Sequence, residues 1–294
     1  MRRMVLLGTL LVVGGLSLAA ARQADAPKVI EVDKIKDNLF VLKGGGGNTS
    51  VFVTATGVVV VDAKNPGWGQ PILDKIKTLT NKPVTMLINT HTHGDHVSGN
   101  VEFPATVDVI AQENTKANME KMDIFKENSN RGMAKRTFKD KLTLGSGADE
   151  IDLVYFGPGH TNGDAWVIFP ALRVAHAADM FWQRALPLVD APNGGSVLHF
   201  AETLQKAHDG MKNVDTIING HNPTTTTPAD LQTFVDFNKD FLAWAQGALK
   251  AGKTPKQAAP EWKIPAKYQG YSPATNPLFG GVEGMLVRLQ EEMK

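Results

Sequence analysis

Six consecutive residues hold the densest chemistry of the chain: His91-Thr92-His93-Gly94-Asp95-His96. Three imidazoles and a carboxylate in so short a stretch are costly to bury together unless a cation offsets their charge and desolvation. An isolated histidine reads as an ordinary hydrogen-bonded residue, but this group reads as a metal site. Side chains two apart on an extended stretch point the same way, so His91 and His93 can grip one ion. Gly94 lets the chain bend, and Asp95 and His96 beyond it can then face a second ion close to the first. Two more histidines and an aspartate stand in segments of similar look: Gly157-Pro158-Gly159-His160, Ala177-Ala178-Asp179 and Asn219-Gly220-His221. The chain has eight histidines and no cysteine, so any ion must be held by imidazole and carboxylate alone. Of the remaining histidines, His176 reads as core or as a neighbour of the ligands. His199 and His208 fall in a helix, where His199 is at most a pocket-lining residue.

The elements that must position these groups are legible as apolar runs. Pro83 to Asn89 reads as a buried strand running into the histidine-rich stretch. Ile151 to Phe156 and Val214 to Ile218 read as strands leading to His160 and His221, and Leu172 to Ala177 as the strand before Asp179. The last forms a hairpin with Ala165 to Phe169 around Pro170-Ala171. Loops at strand ends are where a rigid scaffold presents its reactive groups. Upstream, apolar stretches near residues 28–33, 38–43, 49–54 and 57–62 are separated by turn residues, which argues an antiparallel meander. Ile72, Leu73, Ile76 and Leu79 give helical spacing over Gln70 to Leu79, and Val107 to Ala111 reads as a further strand. Helices are expected over Asn114 to Asn128, Val197 to Met211 and Pro228 to Leu249. A tail rich in Pro and Gly follows from Ala251 and ends in a short helix near Val282 to Met293. Strands followed by a helix, twice over, argue two sheets with helices outside. The glycine run Gly44 to Gly47 is expected as a flexible hairpin tip able to close on substrate, the alternative being a plain tight turn. Phe181-Trp182, just after Asp179, would form an apolar wall of the pocket or part of the core.

The first residues read differently from the rest. Met1-Arg2-Arg3 is a short positive start, Met4 to Leu18 is apolar apart from Thr9, Ser17 and glycines, and Ala19-Ala20-Ala21 supplies small residues at a cleavage spacing. This is the pattern of a secretory signal peptide over residues 1–21, and the apolar run is short against the roughly 20 residues a bilayer span needs. A single domain is expected over 22–294, with 228–294 a helical C-terminal extension, in a periplasmic or secreted protein. The whole chain of 294 residues carries 31 basic and 30 acidic side chains; without Arg2 and Arg3 the balance is 29 against 30. No basic run or patch is visible, so nucleic acid is a poor candidate partner and a small-molecule substrate the expected one.

His91-Thr92-His93-Gly94-Asp95-His96 resembles the H-x-H-x-D-H motif of the metallo-β-lactamase superfamily. The family's other motifs follow in its order: Asp62 at the end of Val58-Val59-Val60-Val61-Asp62, then His160, Asp179 and His221, the likeness covering about residues 30 to 225. The resemblance implies an αββα sandwich, two mixed sheets between helical layers. It implies that His91, His93 and His160 hold a first metal, that Asp95, His96 and His221 hold a second, that Asp179 bridges both, and that Asp62 orients a ligand. Zinc is the expected metal, two per chain, with manganese or iron able to occupy the same sites. Two close divalent ions would ionise a shared water near neutral pH and polarise a carbonyl, with Asp95 orienting the nucleophile and taking a proton. The class implied is hydrolysis of an ester, lactone, thioester or amide, and phosphodiesters use the same parts.

The departures from particular branches bear on substrate. β-Lactamases of the commonest subclass carry Cys at the bridging place and another subclass carries Ser, whereas Asp179 stands here. No Lys follows Asp179 closely, and Arg184 is the nearest cation downstream. Acyl-homoserine lactonases place Tyr three residues after the bridging Asp, where this chain has Trp182. Lys250, Lys253, Lys256 and Lys263 of the tail read as a solvated face, not as the glutathione site of glyoxalase II. β-Lactam hydrolysis is the alternative activity. Persulfide dioxygenases, with one iron and three protein ligands, and a non-catalytic metal-binding module are the alternatives of another class. The presence of all seven candidate ligands argues against both.

Overall fold

The computed structural model describes residues 28–181, 184–272 and 281–294. The expected signal peptide over 1–21 and Trp182 lie outside them.

Thirteen strands form two mixed sheets among the described residues. The first, in spatial order β1 to β7, contains β1 (Glu31–Lys36), β2 (Leu39–Lys43), β3 (Thr49–Val53), β4 (Val58–Val61), β5 (Val84–Asn89), β6 (Asp108–Gln112) and β7 (Arg136–Phe138). Strands β1 to β4 are the expected antiparallel meander, and β4 to β7 run parallel. The second sheet contains β8 (Lys141–Leu144), β9 (Ile151–Tyr155), β10 (Ala165–Phe169), β11 (Val174–Ala178), β12 (Thr216–Asn219) and β13 (Thr225–Thr226), in the order β13-β12-β11-β10-β9-β8. Only β11 and β12 are parallel in it. The helices are α1 (Gly69–Leu79), α2 (Gly94–Val97), α3 (Glu113–Met119), α4 (Asp123–Glu127), α5 (Val197–Gly210), α6 (Pro228–Lys250), α7 (Pro255–Ala258) and α8 (Gly281–Glu292).

The period-two alternation of side chains assigns each strand residue to a layer. In β4, Val59 and Val61 enter a core shared with Leu153, Val167 and Phe169 of the second sheet, so this core lies between the sheets. Val58 and Val60, on the opposite face, meet Ile72 and Ile76 of α1. In β10, Ala165, Val167 and Phe169 face the first sheet while Trp166 and Ile168 join Phe200 and Leu204 of α5, Phe234 and Phe237 of α6, and Leu286 and Leu289 of α8. Strands apolar on both faces are what a sheet covered on both sides requires. The result is the αββα sandwich, in which the C-terminal helices belong to one of the outer layers.

One expected helix is split and three strands are additional. The helix expected over Asn114 to Asn128 is two helices, α3 and α4, because Met122 is extended (φ −77°, ψ 131°). That break brings Phe125 into one small core with Met119 and Val97. Strands β7, β8 and β13 are additional. They are two to four residues long; β8 alternates, with Leu142 and Leu144 on one face, but over too few residues to mark a strand by itself.

Candidate metal centre

Each candidate ligand follows a strand end or caps a short helix. Asp62 follows β4 with φ 64°, and Thr90 and His91 follow β5. His93 is the extended residue preceding α2, which carries Asp95 and His96. Asp179 follows β11 and His221 follows β12 by one residue beyond Gly220. His160 lies in the loop between β9 and β10. These loops converge. Ligand atoms of His91, His93, His160 and Asp179 lie within 4.8 Å of one another, as do those of Asp95, His96 and His221. Asp179 lies between the groups: Oδ1 is 3.2 Å from His96 Nε2, while Oδ2 is 3.4 Å from His221 Nε2 and 3.8 Å from His160 Nε2. Gly220 is needed beside it, since a Cβ there would overlap the Asp179 carboxylate.

The hydrogen bonds commit one nitrogen of each of four imidazoles. The Thr90 hydroxyl donates to Asp62 Oδ2 (2.7 Å), so it accepts from His91 Nδ1 (3.0 Å). His96 Nδ1 donates to Asp62 Oδ2 at 2.7 Å, His160 Nδ1 to the Leu188 carbonyl at 2.8 Å, and His93 Nε2 to Asp190 Oδ2 at 2.7 Å. The opposite nitrogens thereby point inward. His93 Nδ1 and His160 Nε2 are 2.9 Å apart with both protons spent elsewhere. His91 Nε2, His96 Nε2 and Asp179 Oδ1 are buried without an aligned hydrogen-bond partner. Orphaned buried polar atoms and two facing lone pairs are unfavourable by themselves. Cations among them would resolve both, so the donor set fits metal ions.

The electrostatics agree. Burial holds His91 well below the ordinary imidazole range and His160 down to about 4, so both are neutral donors. Burial also opposes charge on His96, but Asp179 and Asp62 outweigh it and raise His96 well above that range. Burial would raise Asp179; the facing imidazoles, His96 foremost, outweigh it and hold the carboxylate ionised. Metal binding to His96 therefore displaces a proton. The mouth lies on the side of Asp95 and His221, each with about a third of its side chain exposed (32%).

Residues without a chemical motif complete the site. Asp190, 97 residues from His93 in sequence, also accepts from Asn193. Its loop places the Leu188 carbonyl on His160 as well, so one loop orients two ligands. The glycine run is not a free tip. The Gly47 N–H donates to the Asp95 carbonyl at 3.0 Å, and a Cβ on Gly47 would overlap the His96 ring. Asn48 donates from its side chain to the carbonyls of Asn219 (2.9 Å) and His221 (2.6 Å). Lys64 is fully buried and donates to the carbonyls of Leu42 (2.8 Å) and Gly47 (2.6 Å), and burial pushes its ammonium down to about 7. The remaining candidates are elsewhere. His176 is buried with Nδ1 2.9 Å from Ser50 Oγ, His199 bonds Ser196 at the start of α5, and His208 bonds Asp209. Phe181 is core, stacked on Phe234. Arg184 pairs with Asp230 at the start of α6.

Two mixed sheets between helices meet at strand-end loops that carry a His/Asp cluster compatible with a metal site. The chain belongs to the metallo-β-lactamase superfamily, whose sequence profile matches residues 42–231. It is 30% identical over 172 residues to a type 2 metallo-β-lactamase of Elizabethkingia meningoseptica, covering 54% of this chain and 65% of that one. It is 26% identical over 159 residues to a hydroxyacylglutathione hydrolase of Nostoc punctiforme, covering 52% of each. The chain thus spans between about half and two thirds of these relatives' length. A metallo-β-lactamase from Pontibacter korlensis superposes with a TM-score of 0.61 at 19% identity, over 72% of this chain and 99% of that one, a likeness of fold.

Proposed function

We propose that this chain is an exported hydrolase that holds two metal ions, zinc foremost, and cleaves a small carbonyl compound: an ester, lactone, thioester or amide. The observation that carries the reading is the commitment of one nitrogen on each of His91, His93, His96 and His160 to a protein acceptor, which aims the other nitrogen inward. His91, His93 and His160 would hold the first ion, Asp95, His96 and His221 the second, with Asp179 between them. Ions held there would supply a water nucleophile near neutral pH and stabilise the charge that develops on a carbonyl oxygen. The protein's own part is orientation and proton transfer. Asp95, at the exposed mouth, orients the attacking water and takes its proton. Asp62 fixes His96 through one carboxylate oxygen while that carboxylate also accepts the Thr90 N–H and hydroxyl, so that His91 and His96 share one anchor. The positive start, apolar run and alanines of residues 1–21 support export to the periplasm or beyond.

β-Lactam hydrolysis is the second reading, favoured by the 30% identity to a metallo-β-lactamase. Against it stand Asp179 itself and the engagement of Arg184 by Asp230, which removes the nearest downstream cation from the substrate's reach. Zinc-loaded protein assayed against β-lactam, lactone, thioester, ester and phosphodiester panels separates the readings. The expected outcome is turnover of a carbonyl substrate other than a β-lactam, and turnover of β-lactams alone would overturn it.

A further inference from the structure

A lysine withdrawn from water normally sits against a carboxylate, because burial strips the ammonium of its solvation. Lys64 has no exposed surface; the Asp62 and Asp95 carboxylates act on it through space, while its Nζ donates directly to two backbone carbonyls, Leu42 of β2 and Gly47 of the glycine turn. A methionine of similar length would fill the same space without that cost. What the ammonium adds is a link between the sheet and the turn.

The turn in its turn touches all three residues of one ligand group. The Gly47 N–H holds the Asp95 carbonyl, and the Gly47 Cα lies against the His96 imidazole with no room for a methyl. Asn48 holds the carbonyl of His221 through its side chain and that of Gly220 through its N–H, at 2.6 Å each. The backbone around Lys64 reaches the same group: the Ala63 N–H donates to the His96 carbonyl (2.6 Å), and the Lys64 carbonyl accepts from Gly99 (3.1 Å) just beyond α2. The groups bonded to the rings of His91, His93 and His160 are Thr90, Asp190 and Leu188, none of them in the turn.

We infer that Lys64 is a positioning residue for the Asp95–His96–His221 half of the centre, acting through the glycine turn and Asn48 to join ligands from the two sheets. The inference rests on the two-metal reading above.

The test is stepwise titration of metal-free full-length protein with Co(II) and with Zn(II), reading stoichiometry, the two affinities and the cobalt visible spectrum. Wild type takes up two ions. Lys64→Met keeps the first affinity and weakens the second about tenfold or more, with loss of the corresponding part of the spectrum. Asn48→Ala changes in the same sense. Lys64→Gln, one atom shorter but still a donor, falls between Lys64→Met and wild type, and it is the variant to read if Lys64→Met does not fold. A role in stability alone would lower the melting temperature and leave the ratio of the two affinities unchanged. Unchanged affinities in the lysine variants, or equal loss of both, overturn the inference while leaving the two-metal reading intact. A wild type that takes up fewer than two ions overturns that reading itself.

Discussion

The His91–His93–His160 group and the Asp95–His96–His221 group differ in how their ligating atoms are held. In the first, the rings bond three different groups: Thr90 (itself held by the Asp62 that also bonds His96) for His91, Asp190 for His93 and the Leu188 carbonyl for His160. His91 and His160 are almost fully buried, and burial keeps both neutral. In the second, the His96 ring is fully buried and bonded to Asp62. Asp95 is held through its backbone by Gly47, and the side chains of Asp95 and His221 reach solvent. Two buried, neutral imidazoles with His93 bonded to Asp190 beside them are suited to an ion that stays. A carboxylate-bearing group at the mouth, set by a turn, is suited to an ion that meets substrate and exchanges more readily.

The largest expected effect comes from the residue shared by both groups. Asp179→Ala should lower turnover by about 100-fold or more, since ion spacing and nucleophile position are lost together, and should deplete the second ion more than the first. Steady-state rates with metal analysis check this, and equal depletion would erase the asymmetry between the groups. Asp190→Ala acts on the other side. It frees His93 Nε2 and should weaken the first ion about 10- to 100-fold while sparing the second, as read by calorimetric titration.

A smaller effect concerns pH. Burial holds the His176 pKa near 4, below its ordinary value, so between pH 6.5 and 4 the unfolded chain binds more protons than the folded one. Stability of the metal-free protein therefore falls as pH drops through that window, with His176 contributing up to about 3 kcal/mol of the loss. Denaturant unfolding at pH 7 and pH 4 should show a shallower fall for His176→Leu, and an unchanged fall would contradict the assignment. The smallest effect is Arg184→Ala. Its pair with Asp230 is half exposed, so stability should change by less than about 1 kcal/mol and both metal affinities should stay at wild type.

The ligand candidates were legible because they combine rare residue types at tight spacing just after apolar strand runs. The layers were legible because Val58 to Val61 and Ala165 to Phe169 are apolar on both faces. The anchors were not. Asp190 lies 97 residues from His93, and Lys64 and Asn48 act on backbone carbonyls, so nothing in their spacing marks a partner. The glycine run suggested freedom, whereas its missing side chains serve the close approach of Gly47 to His96. Strands β7 and β8 escaped because three or four residues at a sheet edge are too short for a pattern to stand out.

The central claim is that this fold holds two hydrolytic metal ions and not one redox-active ion. Elemental analysis of the purified full-length protein, by mass spectrometry against protein concentration, tests it most directly. The account predicts two ions per chain, zinc foremost, with one lost in Asp179→Ala. A single iron per chain in the wild type, unchanged by added zinc, would contradict it.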